Sequence, residues 1–230
     1  NSLYETEKQL VKRLNGWSSH HPLRINFLNK TYGIGPILSS ALIAWLSPIK
    51  RFSNISKLWS YCGLSATHYE CQCQKKHKFL ITRQVTVCPV HVGKERKECG
   101  AEIVKCEKID KPMRRKRGYL IFYNPRLKTL MWKVASSFEK QKAERSLYRR
   151  IYQEKKQVYL KREDLAKAIT EKVKGAKLHV RLMSMRYVAK RFLADLWLFW
   201  RQMEELPVTE PYAHAILGHS GFESWQPERD

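Results

Sequence analysis

The sequence predicts a mainly α-helical fold with long helices and one small inserted β unit. Apolar residues recur at spacings of three and four within 36–45, 127–138 and 178–203, as on the buried face of a helix. Between Cys71 and Cys106 the pattern changes, because β-branched residues sit between turns that contain cysteine and glycine. The two patterns together predict helices around a short β insertion.

The helices follow in chain order from these spacings and from the breakers between them. A charged, helix-forming stretch opens the chain and ends before Pro22. A buried helix over 36–45 ends before Pro48, and a short helix is expected over 56–61. Three more helices are expected after the β unit, of which the middle one is long, exposed and partly coiled-coil-like: 127–138, 139–174 and 178–203.

The charge balance is strongly basic. The 230 residues include 44 Lys and Arg against 21 Asp and Glu, which gives a formal net charge of +23. This excess goes far beyond what solubility needs and predicts a polyanionic partner. The hydrophobic fraction of 43% excludes a disordered basic tail, because such tails lack the apolar surface that offsets chain entropy.

Neither a membrane span nor a secretory leader is expected. The longest uncharged window, 31–49, contains two Gly, two Pro and three Ser. The chain does not open with a basic region followed by an apolar stretch and a cleavage site. We therefore expect an intracellular, cytoplasmic protein of prokaryotic type that associates with the nucleoid. We also expect the sequence to be the C-terminal piece of a longer protein.

A glycine turn joins two predicted helices at Tyr32-Gly33-Ile34-Gly35-Pro36. Glycines let a backbone approach a phosphate closely, and the N-terminus of the next helix adds a favourable partial charge. The spacing predicts a helix-hairpin-helix grip on a nucleic-acid backbone through Gly33, Ile34 and Gly35. A plain helix-to-helix turn is the alternative.

Five cysteines and a nearby histidine indicate a metal site. Cys88 and His91 are spaced as two ligands of one tetrahedral Zn²⁺, and Cys99 and Cys106 could supply the other two. Cys71 and Cys73 form a competing or supplementary pair. A structural zinc is favoured over a catalytic one, because a closed thiolate site leaves no open coordination position. Buried free thiols are the alternative.

A run of positive charge without any acid follows the cysteines, with aromatic residues after it. Arginine and lysine neutralise phosphates while aromatic rings stack on unpaired bases, so this run is a second candidate nucleic-acid contact, with a solvated linker as the alternative. Its basic residues are Lys111, Arg114, Arg115, Lys116, Arg117, Arg126 and Lys128.

These features divide the chain into five expected segments: the end of a coiled coil or a linker helix at 1–30, a helix-hairpin-helix block at 31–70, a zinc-binding insertion at 71–107, a basic segment with long helices at 108–206, and an irregular tail at 207–230.

No active site can be assembled from the sequence, so the catalytic residues stay unknown. The chain has no phosphate-binding Walker loop, no nucleophile elbow and no paired carboxylates in an apolar frame.

Three ordered blocks resemble the C-terminal transposase domain of the IS110 and IS1111 insertion-sequence family, which is related to the Piv-type DNA invertases. The first block comprises the glycine turn with Leu42-Ile43-Ala44, Arg51-Phe52, Lys57-Leu58-Trp59, Tyr61 and Cys62-Gly63-Leu64. The second comprises 123–128 with Trp132-Lys133 and Ser137-Phe138, and the third comprises 187–193 with Glu210-Pro211-Tyr212 and Leu217-Gly218-His219.

The resemblance implies a two-part enzyme that cuts and rejoins DNA, guided in some members by a structured RNA. A ribonuclease-H-like N-terminal domain with four carboxylates would bind Mg²⁺, and the C-terminal domain would supply a serine. In this sequence the serine position falls on Glu70-Cys71, where the cysteine-rich insertion begins. Magnesium is therefore expected only together with such an N-terminal domain.

Two functions remain open. The chain is either the DNA-binding C-terminal part of a transposase, or a non-catalytic module derived from one that binds structured RNA or a ribonucleoprotein. The expected partners are DNA, structured RNA or both, with no membrane. Whether it forms a homo-oligomer is left open.

Overall fold

The computed structural model describes residues 2–93, 96–208 and 225–229. About 53% of the structure is helical, which confirms the predicted helical class. The chain forms two compact units, a larger one from Asn1–Ile55 with Thr129–Asp230 and a smaller one from Ser56–Lys128. The third block's last two motifs, in 210–219, and most of the predicted tail lie outside the described residues.

In chain order the elements of the described residues are α1 (Ser2–Ser19), a π-helical turn (Arg24–Leu28), α2 (Pro36–Leu46), a 3₁₀ turn (Ile49–Arg51), α3 (Ile55–Tyr61), β1 (His68–Cys73), β2 (Lys78–Ile81), β3 (His91–Val92), β4 (Lys97–Glu98), β5 (Ile103–Ile109), β6 (Leu120–Ile121), α4 (Pro125–Glu139), α5 (Leu147–Leu160), α6 (Glu163–Thr170) and α7 (Ala176–Met203). None of these helices is long and apolar enough to cross a membrane.

Helix α7 forms the centre of the larger unit. Its apolar residues recur at helical spacing and are buried along one face, where the ring of Phe192 lies 5.2 Å from Phe138 and 5.9 Å from Phe27. The indole nitrogen of Trp197 donates to the backbone oxygen of Phe52 at 2.8 Å. Aromatic contacts of this kind add about 0.5–1.5 kcal/mol each beyond area burial. Segments from before and after the smaller unit in the sequence therefore pack on one helix.

The predicted helix over 139–174 is two helices instead of one. Helix α5 ends at Leu160 and α6 begins at Glu163. The side chain of Arg162 pairs with Asp164 through two hydrogen bonds, at 2.8 and 3.1 Å. Acidic residues in a first turn favour a new helix start, because they complement the positive end of the helix dipole. Glu163 and Asp164 occupy that turn.

The smaller unit is built around a four-stranded sheet with the order β5-β1-β2-β6. Strand β1 is antiparallel to both β5 and β2, whereas β6 is parallel to β2. Strands β3 and β4 pair as a separate hairpin. The smaller unit has a sulfur-rich hydrophobic core. Its buried residues are Cys71, Cys73, Phe79, Ile81, Cys88, Val90 and Cys99. The segment predicted to bind zinc, 71–107, lies within this unit, where β1 begins three residues earlier.

Gly63 closes the short helix α3 in a conformation that only glycine adopts readily. Its φ is +66°, and a Cβ atom there would lie 2.7 Å from a ring carbon of Tyr123. The backbone N–H of Asn124 donates to the backbone oxygen of Tyr61 at 2.9 Å. The first and second sequence blocks thus meet inside the smaller unit.

A buried ionic group lies within the larger unit. Asp195 on α7 accepts hydrogen bonds from Tyr148 at 3.0 Å and from the guanidinium of Arg191 at 3.0 Å. Burial raises the pKa of Asp195 to about 6, although Arg191 and Tyr148 act in the opposite direction. Burial therefore outweighs the ion pair.

The Asp195 carboxyl makes stability depend on pH. Because its pKa is higher in the folded chain than the value of about 3.9 for an unfolded Asp, its contribution is complete below about pH 4 and is lost as the pH rises through 6. We expect the wild type to lose about 2–3 kcal/mol over this interval relative to Asp195→Asn, which does not titrate. Urea unfolding of both proteins between pH 4 and 7 measures the difference. Parallel curves for the two proteins would contradict it.

Candidate metal centre and basic surface

A tight turn between β1 and β2 places Cys73 beside His77. The backbone N–H of Cys73 donates to the oxygen of His77 at 3.2 Å, and the N–H of Lys76 donates to the oxygen of Cys73 at 2.8 Å. Lys76 adopts a positive φ of 63°, which lets the chain reverse over so few residues. Cys73 and His77, the first two possible ligands, therefore lie at the same end of the β1–β2 hairpin.

The second pair of possible ligands comes from the segment around β3 and β4. The backbone N–H of Cys99 donates to the oxygen of Val90 at 2.7 Å, and that of Gly100 donates to the oxygen of Cys88 at 3.2 Å. Cys88 and Cys99 therefore lie opposite each other, although ten residues separate them in the sequence.

The two pairs converge on one point. The ligand atoms of Cys73, His77, Cys88 and Cys99 all lie within 4.8 Å of one another. Nδ1 of His77 is 3.5 Å from Sγ of Cys73 and 3.8 Å from Sγ of Cys88. Zinc bonds of about 2.3 Å to sulfur and 2.0 Å to nitrogen would place tetrahedral ligands at about these separations. The four residues could hold a metal ion.

Burial and close spacing oppose ionisation of the Cys88 thiol unless a cation is present. Burial, together with the neighbouring Cys73 and Cys99, raises the pKa of Cys88 to about 11. Burial also acts to raise the pKa of Cys73, but hydrogen bonds, first that from the His77 backbone, lower it overall. Three thiolates so close together repel one another, and a divalent cation would offset that repulsion. Three sulfurs and one imidazole are a common zinc donor set.

The structure brings together only part of the predicted ligand set. Cys73, Cys88 and Cys99 meet, whereas His91 is exposed and donates from Nδ1 to the backbone oxygen of Arg96 at 2.8 Å. Cys71 and Cys106 face each other across β1 and β5 and form a disulfide.

Sequence reasoning missed His77. A histidine four residues after Cys73 is a ligand spacing as plausible as that of Cys88 and His91. Choosing between them requires knowing which way each hairpin turns. In the structure β3 carries the His91 side chain to the surface.

The basic segment lies on the surface of the smaller unit. Arg114, Arg115 and Arg117 are exposed. Lys116 forms an ion pair with Glu70, and its Nζ lies 4.6 Å from the ring centre of Tyr119. An open groove beside them is lined by Arg115, Lys116, Arg117, Tyr119, Leu120 and Ile121.

The other predicted basic contacts differ in their surroundings. Lys111 and Arg126 are exposed, and the backbone oxygen of Lys111 accepts a hydrogen bond from His68 at 2.8 Å. Lys128 is half-buried, with its Nζ bonded to the backbone oxygen of Met113 and 4.9 Å from the ring of Tyr123. Lys128 therefore helps to hold the smaller unit together.

The glycine turn has one packed side and one open side. Gly33 has a φ of +91°, and its backbone oxygen accepts a hydrogen bond from the hydroxyl of Ser137 at 2.6 Å. A Cβ at Gly33 would lie 3.1 Å from Phe138, and Ile34 is buried. Gly35 precedes α2, which has proline at its first position, and a Cβ there would meet nothing within 4 Å.

The position to which the resemblance assigns a serine lies on β1. Glu70 pairs with Lys116, and Cys71 belongs to the disulfide. Both side chains therefore make contacts within the smaller unit.

One segment of the chain matches a known family. Residues 25–78 match the family model described as Transposase IS116/IS110/IS902 family. This match confirms the resemblance over the segment that runs from the π-helical turn to the start of β2. That segment is similar to the transposase family. No curated protein and no solved structure matches the chain.

Metal content distinguishes the observed cluster from the predicted set. We expect His77→Ala and Cys88→Ser to lower bound zinc from about one equivalent per chain to well under half, because each removes one of four ligands. Both variants should also lose the stabilisation of the smaller unit that metal provides. Elemental analysis and thermal unfolding with and without a chelator measure the two effects.

His91→Ala is the matched control, since it removes an exposed imidazole from the same unit. It should keep its metal. Loss of zinc from His91→Ala together with its retention in His77→Ala would contradict the assignment.

Proposed function

We propose that this chain is the nucleic-acid-binding C-terminal part of an IS110-type transposase and that it binds mainly through phosphate contacts. The observation that carries the proposal is a transposase-family segment in a chain with a net charge of +23. Phosphate neutralisation by Lys and Arg supplies most of the affinity in proteins that bind nucleic acid without reading bases. DNA is the expected partner.

The exposed arginines of the basic segment are the proposed principal contact. Arg115 and Arg117 line an open groove together with Tyr119, and Arg114 is exposed next to them in the chain. Arginines on a groove can follow a phosphate backbone, and an adjacent ring can stack on an unpaired base. This arrangement supports a groove that follows a phosphate backbone.

The glycine turn is the proposed second contact, in the manner of a helix-hairpin-helix. Its packed side fixes the position of Gly33, while the open side at Gly35 leaves space for a phosphate to approach the N-terminus of α2. The partial positive charge of that helix end favours an anion.

Zinc is the proposed structural metal of the smaller unit. Cys73 and His77 come from one hairpin, and Cys88 and Cys99 come from another segment. A four-ligand site would join them and leave no open coordination position, so it would support folding and not chemistry. Magnesium would act only in a carboxylate domain of the kind the resemblance implies.

A non-catalytic module that binds structured RNA is the second candidate function. The serine position implied by the resemblance falls on Glu70-Cys71, and both residues have structural partners. This observation favours binding without chemistry.

A denaturing gel tests whether this chain cuts or joins DNA by itself. We expect this chain to bind labelled transposon-end DNA in Mg²⁺ without nicking it or forming a covalent adduct, because a serine hydroxyl needs activation to attack phosphorus. A covalent species would contradict this. Serine-to-alanine changes at Ser65, Ser136 and Ser137 would then locate the nucleophile.

The salt dependence of binding tests the basic segment. Changing Arg114, Arg115 and Arg117 to Ala should reduce the slope of log affinity against log salt by about 2–3 units, since each contact with a duplex contributes about 0.9. Lys116 is left unchanged because it pairs with Glu70. Fluorescence anisotropy with duplex DNA at several salt concentrations gives the slope.

The matched control removes the same charge from the larger unit, by changing the exposed Lys161, Lys167 and Lys177 to Ala. It should reduce the slope less than the arginine variant does. Equal slopes for the two variants would show that the arginines act only through net charge.

A further inference from the structure

Two backbone N–H groups from distant parts of the larger unit converge on one carboxylate. The N–H of Tyr32 donates to Oε2 of Glu228 at 2.5 Å, and the N–H of Leu147 donates to Oε1 at 2.6 Å. Tyr32 opens the glycine turn, and Leu147 is the first residue of α5. Glu228 lies 196 residues from the first donor and 81 from the second, so the carboxylate is bound there by tertiary structure alone.

The surroundings of the carboxylate form a site for an anion. The first turn of α5 contributes the positive end of a 14-residue helix. The positive charge of Arg150 acts on Glu228. Arg145 and Arg150 line the same cleft as Tyr32, so that two cations there face one further carboxylate, that of Glu144. Among the described residues, the fully buried hydroxyl of Ser146 at this helix end has no hydrogen-bond partner.

A phosphodiester suits this site better than the carboxylate does. Burial raises the pKa of Glu228 above its ordinary range, although the N–H groups of Tyr32 and Leu147 lower it. Desolvation thus disfavours the ionised carboxylate, whereas a phosphodiester remains ionised at any physiological pH. Phosphate also offers two unesterified oxygens, which can accept the same two N–H groups.

We propose that the N–H groups of Tyr32 and Leu147, with Arg150, form a binding site for a backbone phosphate of nucleic acid, which Glu228 occupies as an internal competitor. The inference rests on the proposed function, because the competing phosphate belongs to the nucleic acid. Binding at this site requires the carboxylate to leave, which lowers the apparent affinity by the fraction of chains whose site is open.

The exchange requires only a local movement. The ring of Trp225 packs 4.4 Å from Phe27 and 5.7 Å from Phe199, which fixes the start of the 225–229 segment. The backbone N–H of Glu228 donates to the oxygen of Lys30 at 2.9 Å. The side chain of Glu228 can therefore rotate away while its backbone stays in place.

Removal of the carboxylate tests the proposal. Glu228→Ala should bind duplex DNA about tenfold more tightly than the wild type, with a salt slope steeper by about one unit, because Arg150 then pairs with a phosphate. Glu228→Gln keeps an acceptor oxygen without the charge and should give an intermediate affinity. The matched control is Glu154→Ala, which removes an exposed carboxylate from helix α5. It should change the affinity only slightly.

A second measurement avoids nucleic acid altogether. Inorganic phosphate should raise the thermal midpoint of Glu228→Ala more than that of Glu154→Ala, since only the former has an open site. Equal affinities and equal phosphate protection in these two variants would overturn the inference. Selective phosphate protection without DNA binding by any variant would uphold the anion site and refute the proposed function.

Discussion

The larger unit depends on the burial of one aromatic face of α7. Phe27, Phe138 and Tyr148 reach this face from three separate segments, and the backbone oxygen of Phe52 accepts hydrogen bonds from both Trp197 and Arg201. The packing on α7 thus helps to fix the position of the glycine turn relative to α4 and α5, together with the hydrogen bond from Ser137 to Gly33.

The smaller unit is stabilised differently. It is short, and its sulfur-rich core includes the thiols of Cys73, Cys88 and Cys99, so apolar burial alone gives it little stability. Burying several neighbouring thiolates without a metal is unfavourable, whereas a bound metal ion would turn the same thiolates into ligands that stabilise the fold. The basic segment with Arg114, Arg115 and Arg117 follows directly on β5. A metal bound in the smaller unit would therefore stabilise the sheet from which these arginines extend.

Helical periodicity was sufficient to predict α2, α4 and α7 almost to their ends, because each buries a regular apolar stripe. It did not predict the break between α5 and α6, which depends on the local pairing of Arg162 with Asp164. The ligand cluster was predicted in part: cysteine crowding indicated a metal site, but the choice of His77 over His91 depends on hairpin geometry. The contact of Glu228 with Tyr32 and Leu147 could not be predicted, since nothing local in the sequence links the three residues.

Photo-cross-linking tests the central claim, that the smaller unit's basic segment contacts nucleic acid. A duplex and a structured RNA that carry photoreactive bases would be irradiated with the chain, and the modified residues identified by mass spectrometry. The predicted result is adducts on Tyr119 and within 111–117, the segment whose residues Arg115, Lys116 and Arg117 line the groove. Adducts confined to α5 and α6, with none in the basic segment, would contradict it.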